Sequence, residues 1–141
     1  MENPVEYRRK VRYSDTDAQG IVFNGNYFTY MDDAFTDYLE AMGLGSGGLV
    51  DRGFDIVLAH AEIDFHASAR LGDTVVTVPR VSAIGRTSVT FAVEISQEAT
   101  GQVLVEATQI QVMVDADSFR PAPVPGFFVE AVERLQGALD D

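Results

Sequence analysis

Alternation of period two runs through most of this chain and is broken once by a long stretch of helical period. Val5, Tyr7, Arg9, Val11 and Tyr13 alternate with Glu6, Arg8, Lys10 and Arg12, which predicts a first strand over residues 5–13 with one mostly apolar face. A turn-rich stretch, 14–25, follows. From 26 to 42 the spacing changes: Tyr27, Tyr30, Met31, Ala34, Tyr38 and Met42 recur at three- and four-residue intervals, while Asp32, Asp33, Asp37 and Glu40 fall on the other side. Gly43 stands where a helix C-cap prefers glycine. The pattern predicts one long helix with an aromatic stripe.

After a loop over 44–51 the period returns to two. Residues 54–67 set Ala59, Ala61, Ile63 and Phe65 against His60, Glu62, Asp64 and His66, as in a half-buried strand. Leu71-Gly-Asp73 turns the chain into a strand over 74–84, and Gly85-Arg86 turns it again into 88–97, where Val89, Phe91, Val93 and Ile95 share a face. Thr100-Gly101 leads into 103–114, in which Ile110, Val112 and Val114 alternate with Gln109, Gln111 and Met113. Pro121, Pro123 and Pro125 then interrupt regular structure, and 126–139 offers a short terminal helix. Strand, long helix, then four antiparallel strands predict an α+β fold in which one curved sheet wraps the helix. Its edges and outer face need cover, so at least a dimer is expected.

The 141 residues suit one domain, 1–141, able to bury about two-thirds of its unfolded surface. No window approaches the ~18 apolar residues of a membrane span, and the start, Met1 to Lys10, carries no apolar run that could serve as a signal-peptide core. A cytoplasmic protein is expected. With no cysteine, disulfides, thiolate metal sites and a thiol nucleophile are excluded. Ten basic against twenty-two acidic residues give a net charge of −12, a field that repels nucleic acid and anionic membrane. Nine of the ten basic residues are Arg, whose planar fork still allows a small local anion site.

Candidate chemistry concentrates in 11–27, where Asp15 and Asp17 lie between a strand and the start of a helix. A carboxylate there can attack a carbonyl or activate water, and the unsatisfied amides of a helix start can receive the resulting oxyanion. The same residues are also ordinary in turns and caps. Asp15-x-Asp17-x-Gln19-Gly20 partly matches a calcium loop, but Asn26 occupies the position of its bidentate Glu. Gly43-Leu-Gly45-Ser-Gly-Gly48 has the letters of a dinucleotide fingerprint in the reverse context, after a helix and before a strand. Ser46 has Leu44 where a nucleophile elbow requires glycine. His60, Glu62, Asp64 and His66 have acceptable metal-ligand types, but their strand face reads more simply as a solvated or subunit-facing surface.

With these residues in view, the chain resembles the 4-hydroxybenzoyl-CoA thioesterase family of hotdog proteins over roughly residues 5–115. The likeness rests on Tyr13-Ser-Asp15-Thr-Asp17-Ala-Gln-Gly20-Ile-Val and on Tyr27 opening the helix. Met42-Gly43, Ile63-Asp-Phe65, Leu71-Gly-Asp73 and Gly85-Arg-Thr-Ser88 support it. The resemblance implies a hotdog fold, a dimer or tetramer with its site at the subunit interface, and hydrolysis of an acyl- or aroyl-coenzyme A. It implies Asp17 as the catalytic carboxylate and the Asn24 backbone amide as the group polarising the thioester carbonyl. Gly25, Tyr27, Arg86 and Ser88 become substrate-binding residues, the last two near the nucleotide end of coenzyme A. No cofactor and no metal are called for. Some branches of the family carry an aromatic or His side chain where Asn24 stands, so their acyl preference does not transfer. A non-catalytic acyl-CoA-binding domain of the same fold is the alternative.

Overall fold

The strands pair into a single antiparallel sheet in the computed structural model, which describes residues 3–45 and 47–139. Ser46, weighed above as a nucleophile, lies outside the described residues. The elements are β1 (Tyr7–Lys10), α1 (Asn26–Ala41), β2 (Phe54–Phe65), β3 (Thr74–Ile84), β4 (Ser88–Gln97), β5 (Val103–Asp115) and α2 (Gly126–Gln136). Their order across the sheet is β1-β3-β4-β5-β2, so β2 ends as an edge strand beside β5. This is the expected α+β architecture.

The aromatic stripe accounts for the position of α1. Tyr27, Tyr30, Met31, Ala34 and Tyr38 are buried, and the helix lies mainly over β1 and β3. Phe91 of β4 meets Phe35 and Tyr38 edge-on at ring-centroid distances of 5.3 and 5.5 Å, a favourable arrangement for aromatic quadrupoles. Gly43 closes the helix with φ of 82°, a conformation that costs glycine little. At the far end Gln136 joins three elements. It accepts from the Tyr38 hydroxyl at 2.6 Å and from the Val81 amide at 3.0 Å, and donates to the Val81 carbonyl at 2.7 Å. These bonds satisfy a buried amide and fasten α2 to α1 and β3.

One sequence expectation is corrected, and one face that the alternation leaves open is assigned. The first strand is only Tyr7–Lys10, because the Asp15 side chain accepts from the Arg12 amide at 3.0 Å and the Asp15 amide donates to the Arg12 carbonyl at 2.9 Å. That turn, Tyr13–Asp15, throws Tyr13 out to 82% exposure instead of extending the apolar face. In β5 the face turned toward the helix carries Gln109, Gln111 and Met113, all buried, and the aliphatic Ile110 and Val112 lie half-buried on the outside. Pairing of Gln109 with Phe91 and of Gln111 with Val89 fixes that assignment, since β-strand register leaves no freedom of face.

Candidate active site

The loop between β1 and α1 is a short, tightly tied hairpin. Thr16 bridges to Val22, the Asp17 amide donates to the Ile21 carbonyl at 2.9 Å, and the Gly20 amide returns to the Asp17 carbonyl at 2.9 Å. Gly20 turns the chain with φ of 76°. A further bridge, Ile21 to Arg70, and a 2.9 Å bond from the Val22 amide to the Ala69 carbonyl anchor the hairpin to the segment before β3.

The two carboxylates in this loop have different surroundings. Asp15 is buried and engaged: Arg9 Nη2 reaches Oδ1 at 2.9 Å, Arg9 Nε reaches Oδ2 at 3.2 Å, and the Arg12 amide also donates to Oδ2. Burial on its own would raise the Asp15 pKa, but the Arg9 and Arg12 bonds, with Tyr30 alongside, outweigh it and hold the carboxyl below the usual range. Such a group is committed to structure. Asp17 is half-buried and borders a cleft of about 480 Å³ with Tyr13, Thr16, Ala18, Gly20 and Leu71. Its Oδ1 accepts from the Gln19 amide at 2.8 Å, an Asx turn that fixes the side chain, and among the described residues nothing bonds to Oδ2.

The start of α1 is tied to the same loop. The Asp15 carbonyl accepts from the Phe23 amide at 2.9 Å and from Asn26 Nδ2 at 2.7 Å. The sequence offers Asn26 as the first residue of the helix and as a misfit in a calcium loop; the structure makes it the clamp between carboxylate loop and helix. Arg9, read there as one position of a strand face, is the ion-pair partner that sets Asp15. Asn24 and Gly25 are exposed, and among the described residues neither backbone amide donates a hydrogen bond. Unspent donors at a helix start, with the helix dipole behind them, suit a developing negative charge. Tyr27 is placed differently: it is 2% exposed, and its hydroxyl accepts from the Ala69 amide at 3.1 Å. It props the hairpin from inside the core.

Arg86 and Ser88 lie at the opposite end of the sheet. β3 separates the two ends: the Val11 amide donates to the Asp73 carbonyl at its start, and Arg86 follows its last residue, Ile84. Eleven residues at ~3.3 Å each put them on the order of 30 Å apart within one chain. Arg86 is exposed, and Ser88 is half-buried with its carbonyl accepting from the Gly85 amide at 2.8 Å.

The outer sheet face carries another groove of about 450 Å³, bordered by Glu62, Asp64, Glu94, Glu106 and Arg80 among others. His60 contacts Glu62 at 3.2 Å and His66 contacts Glu106 at 3.0 Å. Among the described residues no group of three or more acidic or His side chains is placed to hold a metal ion. Four carboxylates on its rim make this groove unsuited to an anionic ligand.

Residues 19–104 match the model of the thioesterase superfamily; Asp17 stands just before the matched segment. The chain is similar to a 1,4-dihydroxy-2-naphthoyl-CoA hydrolase of Synechocystis, 28% identical over 84% of this chain and 87% of that one. It is also similar to an acyl-CoA thioester hydrolase of Escherichia coli, 28% identical over 82% of this chain and 86% of the relative. The crystal structure of a 1,4-dihydroxy-2-naphthoyl-CoA thioesterase from Synechocystis superposes with a TM-score of 0.82 at 27% identity, covering 91% of this chain and 94% of the other. The fold is the hotdog fold.

Proposed function

The chain belongs to the thioesterase superfamily, and from that footing we propose that it hydrolyses acyl- or aroyl-coenzyme A thioesters with Asp17 as its catalytic carboxylate. One observation carries the reading: Asp17 borders a cleft with one oxygen unengaged, in a hairpin clamped to a helix start whose amides at Asn24 and Gly25 are unspent. The carboxylate attacks the thioester carbonyl or draws a proton from water that does so; both routes need it ionised. Asn24 and Gly25 supply donors for the oxyanion. The names of the relatives, one aroyl and one acyl, support the substrate class.

Arg86 and Ser88 enter this scheme through a second copy of the chain. β2 is an edge strand, and Leu58 and Phe65 on it are 45% and 49% exposed, apolar surface that a protomer leaves uncovered. Antiparallel pairing of two such edges about a two-fold axis sets the Phe54 end of one β2 beside the Phe65 end of its partner. The Arg86 end of one protomer then approaches the Asp17 loop of the other. We propose a dimer or tetramer of such one-domain chains, acting in the cytoplasm. Light scattering at micromolar concentration is expected to give a dimer or larger, and a stable, active monomer would refute the shared site.

The function itself is tested by thiol release across aromatic, short, medium and long acyl-CoAs. Release from at least one class is expected. Binding of coenzyme A thioesters with no thiol released from any of them would replace hydrolysis by the binding-domain alternative.

A further inference from the structure

Phe119 is the one described non-glycine residue with positive φ, 58°, and its ring is 57% exposed. A bulky side chain is disfavoured in the left-handed region, where glycine or asparagine is usual. Core packing does not compensate, since Phe119 stands outside the buried cluster and, among the described residues, makes no aromatic or cation contact. The turn that holds it is rigid. Asp115 Oδ1 accepts from the Asp117 and Ser118 amides at 3.0 and 2.9 Å, the Phe119 amide donates to the Asp115 carbonyl at 2.9 Å, and the Asp115 amide donates to the Arg120 carbonyl at 2.9 Å. A costly conformation kept on a preformed, exposed turn suggests a function for the ring.

The turn is continuous with the Arg86 loop. Beyond it Pro121 bridges to Val114, the Ala122 amide donates to the Met113 carbonyl at 2.9 Å, and the Val124 amide donates to the Arg86 carbonyl at 2.8 Å. Five residues separate Phe119 from that last bond, about 16 Å when extended. That length is comparable to a nucleotide with its phosphates, so one such ligand can span from Phe119 to Arg86. Among the described residues the Arg86 guanidinium has no carboxylate partner, so it is available to an anion in a chain of net charge −12.

We infer that Phe119 is a stacking platform for the adenine base of the coenzyme A nucleotide, with Arg86 on the phosphates. The inference rests on the thioester reading above for its ligand. A base accepts an aromatic face, and its neutrality tolerates the acidic turn that would repel a phosphate at Phe119 itself. Two substitutions test it. Phe119→Gly removes the ring while relieving the backbone, so thermal stability should hold or rise. Phe119→Tyr keeps the face.

Calorimetric titration with adenosine 3′,5′-bisphosphate should show binding weakened about tenfold in Phe119→Gly and restored in Phe119→Tyr. On a coenzyme A thioester KM should rise by a similar factor in Phe119→Gly, with no change on the matching pantetheine thioester, which lacks the nucleotide. Unchanged bisphosphate binding in Phe119→Gly, equal losses in both variants, or no binding by the wild type overturns the proposal. Its failure is separable from that of the hydrolase reading. Hydrolysis with Phe119-independent binding sinks only the platform, and Phe119-dependent binding without hydrolysis of any thioester sinks only the hydrolase.

Discussion

Replacing Asp15 by Asn should lower the stability of the fold by about 2–3 kcal/mol while leaving turnover per folded molecule close to wild type. The substitution keeps the size of the side chain but removes the charge that receives both Arg9 nitrogens and the Arg12 amide. A guanidinium left without its partner carries most of the cost. Loss of a fully buried pair would cost more, but the Arg9 side chain is 29% exposed and recovers some hydration. For a chain of this length the change corresponds to roughly 5–10 °C in Tm.

The pH dependence provides a second check. The folded-state carboxyl of Asp15 is depressed, so its contribution to stability is fully present above the unfolded pKa of about 4 and disappears as pH falls through the folded value. Wild type and Asp15→Asn should therefore differ most at neutral pH and converge in acid. A difference that persists undiminished at pH 2 would show that the amide disturbs packing, and that the ion pair is not what matters.

Much of this architecture was legible because the chain alternates cleanly. The helix stripe of Tyr27, Tyr30, Met31, Ala34 and Tyr38 fell on the buried face, and β3 and β4 begin and end where their turn residues place them. Two parts were not legible, for distinct reasons. The side chain of Asp15 ends β1 by capping backward onto Arg12, a local hydrogen bond that competes with strand extension and leaves no trace in periodicity. In β5 the more polar face turned inward, because pairing with Phe91 and Val89 decides which side meets the helix and the strand's own alternation does not. The candidate site divides in the same way. Asp15 and Asp17 are equivalent by spacing, and only the partners across the hairpin distinguish the ion-paired carboxylate from the one facing a cleft. Asn26 gave a usable signal, an amide at the first helical position, but its acceptor, the Asp15 carbonyl, is defined only once the hairpin closes.

Asp17→Asn should produce the complementary result, with kcat down ~100-fold or more, KM little changed and Tm close to wild type. Among the described residues the wild-type side chain makes one hydrogen bond, from the Gln19 amide to Oδ1, and the amide oxygen of Asn can accept it, so the Asx turn and the hairpin persist. What disappears is the negative charge of a carboxylate that borders the cleft with one oxygen unengaged. An amide neither attacks a thioester nor takes a proton from water, so both routes are blocked by the same change, and the helix-start amides at Asn24 and Gly25, proposed to bind the carbonyl, stay in place. That separation explains why kcat should fall and KM should not. Set beside Asp15→Asn, the pair forms a crossed comparison: one variant loses stability and keeps turnover, the other keeps stability and loses turnover. Free-thiol release under saturating substrate, together with thermal melts of both proteins, reads the two axes independently. Near wild-type turnover by Asp17→Asn on every thioester that the wild type hydrolyses would remove Asp17 from the chemistry and require a different carboxylate, with Asp15 excluded by its ion pair if its own variant also remains active.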